Sequence, residues 1–153
     1  ECSRAPKCAE EYRARISGPL LDRIDIQIEV PAVSPWDLAD VRPGESSDEI
    51  RKRVIAAREI QKKRFAAFGC PSLLTNSQLK GELLEQAAAL DNEAKALLLS
   101  YADRTAMSAR AYHRTLRLAR TIADLQNENK LLRIHIAEAL SLRWKTPDYK
   151  SRR

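Results

Sequence analysis

The segment Asp25-Ile26-Gln27-Ile28-Glu29-Val30 alternates polar and apolar residues until Pro31 ends it. A period of two marks a half-buried strand, and no other stretch shows it convincingly. One strand has nothing to pair with and cannot bury itself. A self-contained sheet is therefore excluded, and this strand is expected to join a sheet whose other strands lie elsewhere. The chain reads as a fragment of a larger fold.

The remainder reads as mainly α. Aromatic residues make up only 5% of the chain, while the 44% hydrophobic content comes mostly from Leu, Ile and Ala. That balance favours packed helices over a sandwich or barrel. Ala9 to Ile16 can form a short helix, broken by Gly18-Pro19. A loop rich in Pro and Ser follows the strand. A long helix is then expected from Ser47 to Phe68, with Ile50, Val54, Ala57, Phe65 and Phe68 as its apolar stripe and Gly69 as its stop. Asn76 is expected to cap a helix reaching Ala88, Asp91 a second and Ser108 a third. A fourth should run from Leu132 to Arg143, with Ile136, Ala137 and Leu140 inward. Four short helices with tight connections make a small bundle. The expected organisation is 1–45 as the end of a core, 46–75 as long helix and linker, 76–144 as helical bundle and 145–153 as frayed tail.

No apolar run approaches the roughly 20 residues that cross a bilayer, and the charged start, Glu1 to Lys7, does not read as a signal peptide. A cytoplasmic protein without a membrane partner is the expectation. The net charge of +6 suits a polyanion partner and equally suits an ordinary basic protein. Arg51, Lys52, Lys62 and Lys63 on the long helix are candidates for tracking DNA phosphates; a solvated face explains them as well. Three cysteines do not make a disulfide framework here. Cys2 and Cys8 are a candidate zinc pair, incomplete because a closed site needs four ligands; free thiols are the alternative. Cys70 reads as a small packed residue. There is no Gly-rich phosphate loop or metalloprotease helix, and His113 and His135 read as surface or partly packed. This chain is not expected to be an enzyme alone.

The stretches YRARISGPLLDRIDI, LSYADRTAMSARAYHRTLRLARTIADL and HIAEAL resemble, in order and spacing, the C-terminal part of magnesium-chelatase-like AAA+ ATPases of the ComM/YifB family. Met107 stands where leucine is usual. The resemblance implies the end of an AAA+ α/β core followed by a long helix and a helical lid. It also implies that the Walker A and Walker B segments, which hold ATP and Mg2+, lie upstream. Leu-Leu-Asp-Arg at 20–23 looks like the arginine-finger region, so Arg23 would reach the γ-phosphate of a neighbouring subunit in a ring, a hexamer by expectation. Arg110 matches the sensor-2 arginine of the lid. Residue chemistry supports that placement: a cation in a helix's first turn is ill-matched to its own dipole, and a phosphate would relieve it. The alternatives are surface arginines, Arg23 paired with Asp22 or Asp25 and Arg110 with Asp103 or Glu93. Arg114, Arg117 and Arg120 read as solvated or interface residues. The cysteine cluster common at this point in the family implies zinc at Cys2 and Cys8, although the usual tight Cys-x-Cys second half is missing. The implied function is ATP-driven remodelling of DNA in recombination or uptake. Two alternatives are a basic helix-turn-helix-like module, with its turn at Thr105-Ala106-Met107, and the ATPase subunit of a true magnesium chelatase.

Overall fold

The computed structural model describes residues 15, 17, 20, 23–28, 30–36 and 44–143. The described part is mainly α: helices α1 (Ser47–Ala67), α2 (Gly81–Ala87), α3 (Asn92–Thr105), α4 (Ala109–Leu125) and α5 (Arg133–Ser141), with a 3-10 turn at Asn76–Gln78.

The start of α1 is set by local chemistry. Ser46 Oγ accepts from the Glu49 amide at 3.3 Å, and Glu49 returns a carboxylate oxygen to the Ser46 amide at 3.0 Å. This reciprocal box satisfies two amides that a helix start leaves without partners, and the Ser46 contacts hold the Glu49 carboxyl below its ordinary pKa. At the other end, Gly69 takes φ 70°. The Cys70 amide then reaches Phe65 O at 2.9 Å and the Gly69 amide reaches Ala66 O at 3.0 Å, the paired closure of a Schellman motif. Only Ala57, Gln61 and Phe65 are buried on α1. The expected stripe therefore holds in the second half alone. Ile50 and Val54 are 45% and 43% exposed, because the first half of α1 extends past the bundle.

Helix α4 is the centre of the bundle, packed against α1, the 3-10 turn, α2 and α5. Its buried set includes Leu116, Ala119, Ile122 and Ala123, which continue a core through Phe65, Leu84, Leu98, Leu131 and Ile136. Asp91 and Ser108 cap α3 and α4 as expected, accepting from Ala94 N at 2.6 Å and Ala111 N at 3.1 Å. A lone bridge between Leu90 and Leu131 pins the start of α3 to the turn before α5.

Several expectations are corrected. Asn76 caps nothing: Thr75 precedes the 3-10 turn, and the Asn76 side chain is buried instead. Ala137 faces solvent, while Ala139 and His135 face inward. The alternating segment after Asp25 forms no strand among the described residues. A ladder needs a partner strand, and none is among them. Ile26, Ile28 and Val30 accordingly stand 47%, 71% and 82% exposed. Leu20 and Ile24, just before this segment, are also exposed.

Candidate functional site

The opening turn of α4 carries Arg110. Ser108 caps the helix, and no acidic residue lies in its first turn. Arg110 is exposed, and it forms no ion pair with Asp103 or Glu93. The positive end of the helix dipole and the guanidinium thus point the same electrostatic preference outward, toward an anion.

One turn further along α4, Arg114 turns to a different task. Its Nε donates to Asp25 Oδ1 and one terminal nitrogen donates to the carbonyl oxygen of Arg23. Asp25, offered by sequence as a partner for Arg23, is therefore engaged by Arg114. The segment is tethered a second time where the Gln27 amide donates to Leu142 O at 2.8 Å. These contacts seat the Arg23 segment on the bundle, with the Arg23 side chain exposed.

The other end of α4 is a buried polar cluster that the sequence did not announce. Asp124 accepts from Gln61 Nε2 at 3.2 Å, Asn76 Nδ2 at 2.8 Å and Arg120 Nε at 3.0 Å. It also pairs with Arg64 from the last turn of α1. Arg120, expected to be solvated or at an interface, is fully buried within the bundle; its remaining donors reach the carbonyls of Asn129 and Glu128. Burial lowers its pKa, opposed by Asp124. Arg117 spends Nε on Leu79 O at 2.9 Å. Two signals could have exposed this cluster: an acid in a last helical turn, where the dipole disfavours it, and Arg120 four residues before it.

His135 is also buried. The Leu132 amide donates to Nδ1 at 3.0 Å, so Nδ1 is an acceptor and Nε2 carries the proton donated to Gln126 Oε1 at 3.0 Å. Burial first, and the Arg120 charge second, lower its pKa. These are the contacts of a neutral structural histidine.

Arg51, Lys52, Lys62 and Lys63 are all exposed on α1. The spacing from 51 to 62, and from 52 to 63, is three turns, so they form two columns flanking exposed Ile55. Arg51 is held by Asp48 at 3.0 Å, both side chains being largely exposed. Cys2 and Cys8 lie outside the described residues. Among those described, no group of His, Cys, Asp and Glu could hold a metal, and Cys70 is a half-buried free thiol. Among the described residues, no helix is long and apolar enough to cross a membrane.

Residues 44–143 match the family model described as magnesium chelatase, subunit ChlI C-terminal, and residues 1–38 match magnesium chelatase, subunit ChlI. The competence protein ComM of Haemophilus influenzae is 36% identical over 140 residues, covering 91% of this chain and 26% of that protein. The uncharacterized protein YifB of Escherichia coli is 37% identical over 139 residues, covering 90% and 26%. The uncharacterized protein Rv2897c of Mycobacterium tuberculosis is 33% identical over 145 residues, covering 94% and 28%. The chain thus spans about a quarter of the length of the curated relatives it matches. On these matches and this mainly α fold, the chain belongs to the magnesium-chelatase-like family of ComM and YifB and corresponds to its C-terminal region.

Proposed function

We propose that this chain is the nucleotide-sensing lid region of an ATP-driven AAA+ ring motor that acts on DNA. The carrying observation is Arg110: a cation in the first turn of a capped helix, exposed and unmatched by any described acid. A phosphate is the ligand that such a turn suits best. Arg110 senses nucleotide in its own subunit, while Arg23 enters the neighbouring subunit's site and stabilises charge on the phosphoryl oxygens as the γ-phosphate leaves. ATP and Mg2+ are held by the upstream core, with Mg2+ supplying charge neutralisation at the phosphates. Release of both arginines after hydrolysis turns phosphate chemistry into domain rotation. The ring is a homo-oligomer, a hexamer on the family's likeness. The exposed columns Arg51/Lys62 and Lys52/Lys63 are the surface offered to DNA phosphates. Zinc, if bound, falls to Cys2 and Cys8 with ligands from elsewhere.

A helix-turn-helix reading is disfavoured because α4 is buried over a wide arc, whereas a recognition helix needs a free polar face.

The test is ATP turnover by the full-length protein carrying this chain, with and without branched or single-stranded DNA. DNA should stimulate the wild type, and Arg23→Ala should lower kcat by on the order of 10³-fold. Arg110→Ala should weaken nucleotide-dependent turnover while leaving the fold intact. Turnover indifferent to DNA and to both substitutions would overturn the proposal. Stimulation by a tetrapyrrole instead of DNA would redirect it to a chelatase.

A further inference from the structure

We infer that Arg114 is a positioning residue for Arg23, fastening the finger segment to the helix that carries Arg110. The inference rests on the roles proposed above for those two arginines. Arg110 and Arg114 are four residues apart on α4 and so share a face. Whatever rotates or shifts α4 at Arg110 moves Arg114 with it.

The contact is well suited to transmit such a movement. The Nε and Nη donors of Arg114 grip Asp25 Oδ1 and Arg23 O, the acceptors lying on either side of Ile24. Holding the Arg23 carbonyl fixes the orientation of the peptide that follows Arg23, and Asp25 fixes the chain two residues on. A planar guanidinium offers these donors in a rigid fork, which an ammonium cannot imitate. The Arg114 side chain is 22% exposed, against 69% for Arg51 in its pair with Asp48, so water screens this contact less.

The tether between Gln27 N and Leu142 O reinforces the coupling from the end of α5. Gln27 Oε1 is buried there without a hydrogen-bond partner, so the segment is seated on the bundle. No short stretch of chain connects Asp25 to α4. The coupling therefore runs through space, from a helix that reads one nucleotide to a loop that serves the next. In a ring, it makes the finger's placement depend on the occupancy of its own subunit.

The experiment uses the full-length protein with Arg114→Ala, Arg114→Lys, Asp25→Ala, Arg23→Ala and the Arg23→Ala/Arg114→Ala double variant. Turnover, affinity for a fluorescent ATP analogue and thermal unfolding are measured on each. Arg114→Ala and Asp25→Ala should each lower kcat by on the order of 10- to 100-fold, as a displaced catalytic group does. ATP affinity should change by less than about 2-fold, since neither residue binds nucleotide in this scheme. Arg114→Lys should fail to restore kcat. In the Arg23→Ala background, Arg114→Ala should cost nothing further, because the group it positions is gone. An equal loss in that background, or unchanged kcat in both Arg114→Ala and Asp25→Ala, would overturn the positioning role while leaving the finger in place. Unchanged kcat in Arg23→Ala alone would instead remove the finger reading, and this inference with it.

Discussion

Arg110 and Asp124 stand at opposite ends of α4, and each carries the charge that its end of the helix disfavours. A cation in the first turn and an anion in the last each oppose the helix dipole by about 0.3–1 kcal/mol at exposed sites. At the C-terminal end the conflict is resolved inside the protein, where Asp124 is enclosed by Arg120, Arg64, Asn76 and Gln61. At the N-terminal end the described residues supply no acid. Both ends break the same rule in the sequence. One violation points inward to a structural partner, and the other points outward, which is what a ligand-sensing position requires.

The largest expected effect breaks the resolved end. Asp124→Ala leaves the buried Arg120 charge without its partner, which should cost about 3–5 kcal/mol of stability. Arg110→Ala, at the open end, should change stability by no more than about 0.5 kcal/mol. Urea unfolding of the two variants checks both values. Similar losses at the two positions would mean that Arg110 is also structural, and the contrast would collapse.

How much of this was legible in the sequence depended on where each interaction finds its partner. The caps at Asp91 and Ser108 and the stop at Gly69 are settled within a few residues, and all three were readable. The mainly α architecture was readable from helical periodicity. The extent of the α1 stripe was not, because periodicity says which face is apolar and not how far the neighbouring helices reach along it. Asn76 looks like a helix cap, yet it is drawn into the cluster by Asp124, forty-eight positions away. Arg114, Arg117 and Arg120 are indistinguishable as letters. The fold sends one to the Arg23 segment, one to the Leu79 carbonyl and one into the interior. Resemblance singles out Arg110 and Arg23 as candidates, while the contact between α4 and the Arg23 segment has no local signal in the sequence.

A middle-sized effect sharpens the description of the closed end. His135 lies close enough for Arg120 to be the second cause of its lowered pKa. A histidine with a folded pKa below its ordinary value of 6.5 binds fewer protons when native than when unfolded. Its contribution is therefore complete above that value and is lost as the pH falls toward the folded pKa. The urea midpoint should drop between about pH 7.5 and 5.5, and His135→Gln should flatten that drop even though it lowers stability overall. A midpoint that is level or rises on acidification would show that the histidine is not held neutral.

The smallest effect lies at the open end. Ala106 takes φ 48° and ψ 47° between α3 and α4, a left-handed conformation that glycine adopts more readily than alanine. The Met107 amide closes on Ala102 O at 2.9 Å, so the turn has the bonding of a glycine-ended helix without the glycine. Ala106→Gly should raise stability by about 0.5–1 kcal/mol, the relieved strain being partly offset by a more flexible unfolded chain. The turn also sets how the chain enters α4 two residues before the Ser108 cap, and hence where Arg110 begins its reach. A variant that is more stable but turns over ATP more slowly would mean that the strained alanine helps to hold Arg110 in place. A variant that gains stability at full activity would assign the placement of Arg110 to the Ser108 cap and the buried arc of α4 alone.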